Sequence, residues 1–241
     1  MARTFIQLIQ QAANEIGIPE PSQIIGSQDE QAKQLLALAQ REGKDFSVLA
    51  NKNGGWQALH GEYTFTTVDS QQAYTMPADF EYFVQRTFWD DSYKWELLGP
   101  ITAQEKQILK YGVIASGPRR KFYIRANEMY LDPIPETTGD TIAYDYFSNA
   151  WCKDSLGNVQ KLWTADTDTY RLDEDCFIQG IKWRFLRAKG LDYSQEKMDY
   201  EADCQRVMAR DGGNRDLPIA GGTYGTRFLS MDNVPETGFG A

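Results

Sequence analysis

The chain has 241 residues, 41% hydrophobic and 13% aromatic, enough apolar material for one large domain or two small ones and too much for a disordered polymer. Its formal net charge of −9 argues against tight nonspecific nucleic-acid binding, which depends on Lys and Arg neutralising phosphates. No apolar run approaches the ~20 residues that cross a bilayer, so no membrane partner is expected.

The first residues, MARTFIQLIQQAANEIG, are amphipathic and contain no secretory h-region. Phe5, Leu8, Ile9, Ala12 and Ile16 share one side of a helix over residues 4–16, which Gly17 and Pro19 stop. Ser27 followed by Glu30 predicts a capping box. The helix it opens gathers Ala32, Leu35, Leu38, Ala39, Phe46 and Leu49 on one face and ends at Asn53-Gly54-Gly55.

From Trp56 the period falls to two. Tyr63, Phe65 and Thr67 alternate with Glu62, Thr64 and Thr66, and Asp69-Ser70 turns the chain into Ala73–Met76. Phe80–Trp89 and Lys94–Leu98 are β-rich runs around Asp90-Asp91-Ser92, and a short helix follows over Thr102–Tyr111. Lys121–Arg125 and Glu128–Leu131 form a predicted hairpin around Ala126-Asn127, and Thr141–Ser148 a further strand. Six or seven short strands are thus expected between residues 56 and 150.

Helical signals return after Thr164. The run from Leu172 to Leu191, LDEDCFIQGIKWRFLRAKGL, is apolar around most of its circumference, with Lys182, Arg184, Arg187 and Lys189 interleaved. An ordinary surface helix has one apolar stripe and one polar face, so this one must be covered on several sides, by its own domain or by neighbouring copies. Ile178, Trp183 and Phe185 are the candidate subunit or bundle contacts. Tyr193, Tyr200, Cys204 and Val207 give the last helix a thin stripe, ended by Asp211-Gly212-Gly213.

The scheme is α+β: N- and C-terminal helices (residues 1–55 and 151–213) form a bundle, with a β-rich insertion at 56–150 and an extended arm at 214–241. Composition alone also fits an unstructured tail there. As an arm, the segment offers Leu217, Ile219, Tyr224, Phe228 and Leu229 as anchors for a partner.

No catalytic constellation emerges. His60 is the only histidine, so no multi-histidine metal site exists and any Ser-His or Cys-His pair would have to be built on it. Asp166-Thr167-Asp168 resembles half a calcium loop, but the sixth position is Arg171 where Gly is needed and the twelfth is Phe177 where Glu is needed. A turn leading into the helix fits better. The glycines of residues 220–225 have no lysine beside them and make no phosphate cradle. Cys152, Cys176 and Cys204 are odd in number and widely spaced, which fits reduced, buried thiols in a cytosolic setting. Arg119, Arg120 and Lys121 are the one compact basic cluster, a candidate contact for DNA or an acidic partner. No cofactor is expected. With 34 acidic residues, chance pairing of carboxylates is expected and no spacing singles out a hydrolase pair.

Several short pieces, taken in order, resemble the head-to-tail adaptor (connector, or tail-tubular-A-like) proteins of tailed bacteriophages. They are an N-terminal helix pair ending in Gly-Gly-Trp56-Gln57-Ala58-Leu59, then Phe65-Thr66-Thr67-Val68, Tyr74-Thr75-Met76-Pro77-Ala78-Asp79-Phe80 and Thr87-Phe88-Trp89-Asp90. Trp95–Pro100, Tyr130–Pro133, Tyr146-Phe147-Ser148, Trp163–Asp168, Trp183–Tyr193 and Ala209–Gly213 continue the series. The resemblance covers nearly all of the chain up to residue 213. It implies a non-enzymatic ring, generally of twelve copies, in the virion neck beneath the portal protein. Such a ring presents the next surface to tail tube or nozzle proteins and lines the channel through which double-stranded DNA passes. Another neck, tail-completion or ring-scaffold role is the nearest alternative.

Overall fold

The computed structural model describes residues 2–50, 54–111 and 120–212. Helix α1 (Phe5–Ile16) opens where the Thr4 N–H donates to the Gln7 side chain at 3.0 Å. It ends at Gly17, whose φ of 82° lets the N–H groups of Gly17 and Ile18 turn back onto the Ala13 carbonyl. Helix α2 (Glu30–Leu49) is capped by Asp29, which accepts from the Ala32 N–H at 3.1 Å. The expected Ser27–Glu30 capping box does not form; the Ser27 hydroxyl accepts from the Asp29 N–H instead. A carboxylate next to the first turn meets both the free N–H groups and the positive end of the helix dipole, so it takes the cap.

A 3₁₀ turn at Gln57–Leu59 leads into five strands, β1 (His60–Thr66), β2 (Ala73–Thr75), β3 (Phe80–Phe83), β4 (Trp89–Asp90) and β5 (Trp95–Glu96). Helix α3 (Ala103–Tyr111), none of whose residues is buried, precedes β6 (Lys121–Arg125), β7 (Glu128–Asp132) and β8 (Thr141–Ser148). The region therefore carries eight strands where six or seven were expected. One sheet runs β1–β8–β4–β5, with β3 also on β8; a second runs β2–β7–β6. The β6–β7 hairpin turns on Ala126 and Asn127, both at positive φ, as a two-residue turn requires.

The chain does turn at Asp69-Ser70, with the Gln71 N–H bonded to the Val68 carbonyl and Ser70 at a φ of 60°, but β1 and β2 do not pair across the turn. β1 pairs antiparallel with β8, and β2 with β7. Thr67 N–H bonds the Asp140 carbonyl and Gly139 N–H bonds the Thr67 carbonyl, which fastens the end of β1 to a segment far along the chain. Period-two patterning assigns a strand its faces but not its partner.

Three further strands, β9 (Cys152–Lys153), β10 (Val159–Gln160) and β11 (Thr169–Tyr170), form a small antiparallel sheet that sequence reading missed, because two-residue strands have no period to detect. Helix α4 (Glu174–Ala188) follows, capped by Asp173 onto the Cys176 N–H, and then α5 (Ser194–Asp211). α4 packs against α1, α2 and α5, which bury Cys176, Phe177, Ile178, Ile181, Trp183 and Phe185. The chain covers its own apolar helix, so that feature requires no neighbouring copy.

Two cores result. The helical one joins α1, α2, α4 and α5 around Trp151, Trp163 and Tyr170; the other lies between the two larger sheets around Phe88, Phe122 and Leu131. β8 belongs to both, with Phe147 in the first and Ile142 and Tyr144 in the second. It fixes the β body on the helices. The helical core is tight: a Cβ on Gly43 would come within 2.6 Å of the Trp151 ring.

Candidate assembly surfaces

Ile178, Trp183 and Phe185 are buried inside the chain's own helical core. Trp183 packs beside Tyr193 and Tyr200, with the Arg184 guanidinium 4.5 Å from its ring centre. Beneath Arg184 lies a charged knot. Its Nε donates to Glu42 Oε2 at 2.5 Å, its Nη2 to Asp45 at 3.1 Å, and the Tyr200 hydroxyl donates to Glu42 Oε1 at 2.7 Å. Glu42 is fully buried, and Gly180 on α4 leaves room for it, since any Cβ there would collide with the carboxylate. Burial pushes the Glu42 carboxyl above its ordinary value, while Arg184 and the two hydrogen bonds pull it back. Burial also raises the Tyr200 hydroxyl, aided by the Glu42 charge.

Two of the three residues of the basic cluster are described. Arg119 lies outside the described residues, and Lys121 is the first residue of β6. Arg120 turns inward, donating to Asp90 at 2.9 Å and Asp140 at 2.5 Å, with the Tyr93 ring over its guanidinium. Asp90 is itself buried and also accepts the N–H groups of Ser92 and Tyr93. Two carboxylates of its own chain thus pair with Arg120. The arm residues Leu217, Ile219, Tyr224, Phe228 and Leu229 lie outside the described residues.

Arg120 holds the β4–β5 hairpin, where three aromatic side chains stand in solvent: Trp89 is 49% exposed, Tyr93 50% and Trp95 41%. Tyr93 and Trp95 lie 5.9 Å apart and, with Ile134 and Leu97, line a cleft of about 360 Å³. Sequence reading took Trp89 and Trp95 as strand residues; the turn Asp90-Asp91-Ser92 between them was the available signal that they sit at a tip.

The candidate chemical groups have structural partners. Asp166 accepts from the N–H groups of Ile24 and Ile25, and Asp168 from Gln160, Thr164 and Ala165. Both acids secure loops, as a turn leading into α4 requires. Among the described residues no group of three or more metal-type side chains comes together. His60 Nε2 lies 3.6 Å from Asp145. All three cysteines are buried and unbridged, and burial raises the Cys152 thiol to about 12. No helix among the described residues is long and apolar enough to cross a membrane.

The sequence matches the family described as SU10 adaptor protein over residues 3–220, a span that takes in every helix and strand above. The chain belongs to the SU10 adaptor family. This is a family of phage adaptors, in agreement with the resemblance read from the sequence. No curated protein matches the chain. For an SU10 adaptor, the surfaces that matter are those that meet other proteins, and the β4–β5 hairpin groups three exposed aromatic side chains.

Proposed function

We propose that this SU10 adaptor is a structural, non-enzymatic component of the phage neck. It assembles as a ring, of twelve copies by the resemblance, between the portal and the tail, and DNA passes through its lumen. The family match over residues 3–220 carries this reading. A closed ring needs heterologous contacts, with two different faces of each copy meeting. The net charge of −9 suits a lumen that must not grip DNA.

Within that ring the division of labour follows the proposed domains. Residues 1–55 and 151–213 form the rigid bundle. The insertion at 56–150 faces the tail, with Trp89, Tyr93 and Trp95 as the groups a tail protein would bury. Residues 214–241 dock on the portal through Leu217, Ile219, Tyr224, Phe228 and Leu229. Deleting Asn214–Ala241 should abolish binding to purified portal while leaving circular dichroism and unfolding of the remainder unchanged. Undiminished binding would refute the arm. A monomer in isolation is compatible with the reading, since the portal can template the ring, so the assay must include the portal.

A further inference from the structure

Helices α4 and α5 run in opposite directions, and three contacts fix their register. Asp173, the cap of α4, accepts from Arg210 at 3.1 Å; Gln179 donates to Asp203 at 2.8 Å; Trp183 packs on Tyr200 with ring centres 6.0 Å apart. Cys176 lies between the first two contacts on α4, and Cys204 between the same two on α5. The two thiols meet there: they are hydrogen-bonded to each other and are only 2% and 3% exposed. No disulfide joins them. Cys152 sits apart, in the small sheet, where its sulfur lies 3.1 Å from the Gln160 carbonyl and 3.3 Å from that of Leu162.

The surroundings keep this thiol pair inert while the helices are packed. Asp173 lies beside Cys176, and Tyr200, which binds Glu42, lies beside Cys204. The bond to Cys204, burial and the Asp173 charge together hold the Cys176 thiol above its ordinary value, so little of the reactive thiolate forms. α5 is the weaker side of the contact. It buries only Tyr200 and Cys204, whereas α4 buries seven residues. An element with so few buried contacts opens locally before the rest of its core, and opening α5 uncovers Cys204.

We propose that Cys176 and Cys204 are an oxidation site, closing a disulfide that fastens α5 to α4. The oxidant is a small-molecule disulfide. With α5 open, Cys204 loses its proton to water and its thiolate attacks the oxidant, forming a mixed disulfide and releasing one thiol. As α5 closes, the Cys176 thiolate attacks the Cys204 sulfur and the second thiol leaves. Two protons and two electrons pass from the pair to the oxidant, which ends as two thiols. Sulfurs already in contact need only a side-chain movement to reach the S–S length of about 2.0 Å. The loop closed between residues 176 and 204 removes freedom from the opened state, so α5 opens less often. A neck protein is made in a reducing cytosol and ends in particles outside the cell, so the bond tightens the helix ahead of residues 213–241 after assembly; that timing alone rests on the adaptor reading.

Mass spectrometry of the full chain, held with excess oxidised glutathione until its mass is constant, tests the pairing. The chain should become lighter by two hydrogens, and peptide mapping without reductant should find Cys176 joined to Cys204 with Cys152 free. Cys204→Ser should stop that change and Cys152→Ser should not. In the oxidised chain the α5 amides should exchange at least about tenfold slower than in the reduced chain, with β8 amides unchanged. An unaltered mass, glutathione retained on Cys176 or Cys204, or a bond between two chains would overturn the proposal. So would an oxidised chain whose α5 amides exchange as fast as before. Closure of the bond in a chain that fails to dock on portal would uphold the pairing and reject the adaptor reading instead.

Discussion

The helical half and the β half each hold an arginine between two carboxylates at a core, Arg184 in one and Arg120 in the other, and the two knots face different surroundings. Arg184 binds Glu42 and Asp45 among packed helices, with Tyr200 completing the shell around a fully buried carboxylate. Arg120 binds Asp90 and Asp140 at the side of a cleft, beneath a half-exposed Tyr93. One knot closes a core on itself. The other holds a hairpin whose large aromatic side chains stay in water. An assembly protein needs both: a body whose packing is complete before any partner arrives, and a projecting surface whose packing is not.

The sharpest way to break this contrast is to truncate the helical core. Phe177→Ala empties a fully buried site next to Trp163 and Tyr170 and should cost about 3–5 kcal/mol in urea unfolding. Next come the two knots. Arg184→Ala strands the buried Glu42 carboxylate and should cost about 3 kcal/mol. Arg120→Ala, which leaves Asp90 its bonds from the Ser92 and Tyr93 N–H groups, should cost about 2 kcal/mol. The reverse order would mean that the β half, and not the bundle, is the self-sufficient part.

Glu42 supplies a pH test of the same contrast. Its carboxyl is raised above 4.5 in the folded chain, so the folded state holds that proton more tightly than the unfolded state does. This group's contribution to stability therefore falls as pH rises from the ordinary to the raised value. Glu42→Gln should flatten that decline in unfolding curves taken across the interval; an unchanged slope would place the titration elsewhere. The smallest effect on stability belongs to Trp95→Ala, about 1 kcal/mol or less. If the hairpin meets the tail, the same change should block attachment of tail proteins to portal-bound protein.

Much of the fold is legible where neighbouring residues decide it. The apolar face of α1, the Ala126-Asn127 turn and the limits of β8 all follow from local pattern. Distant partners were not legible. Nothing in the sequence joins Arg184 to Glu42, 142 positions away, and nothing tells β1 to choose β8 over β2. The arginines of the basic cluster look alike on paper, yet Arg120 is committed to Asp90 and Asp140, which only the folded β body brings together. The all-round apolar character of α4 was correctly visible, but its cover comes from α1, α2 and α5. It speaks for a dense bundle and leaves the ring to be argued from the family.

Electron microscopy of the protein mixed with purified portal tests the central claim most directly. Rings of the protein should cap the portal, coaxial with its channel and with the β bodies projecting away from it. Bare portal particles, with the protein remaining monomeric beside them, would contradict it.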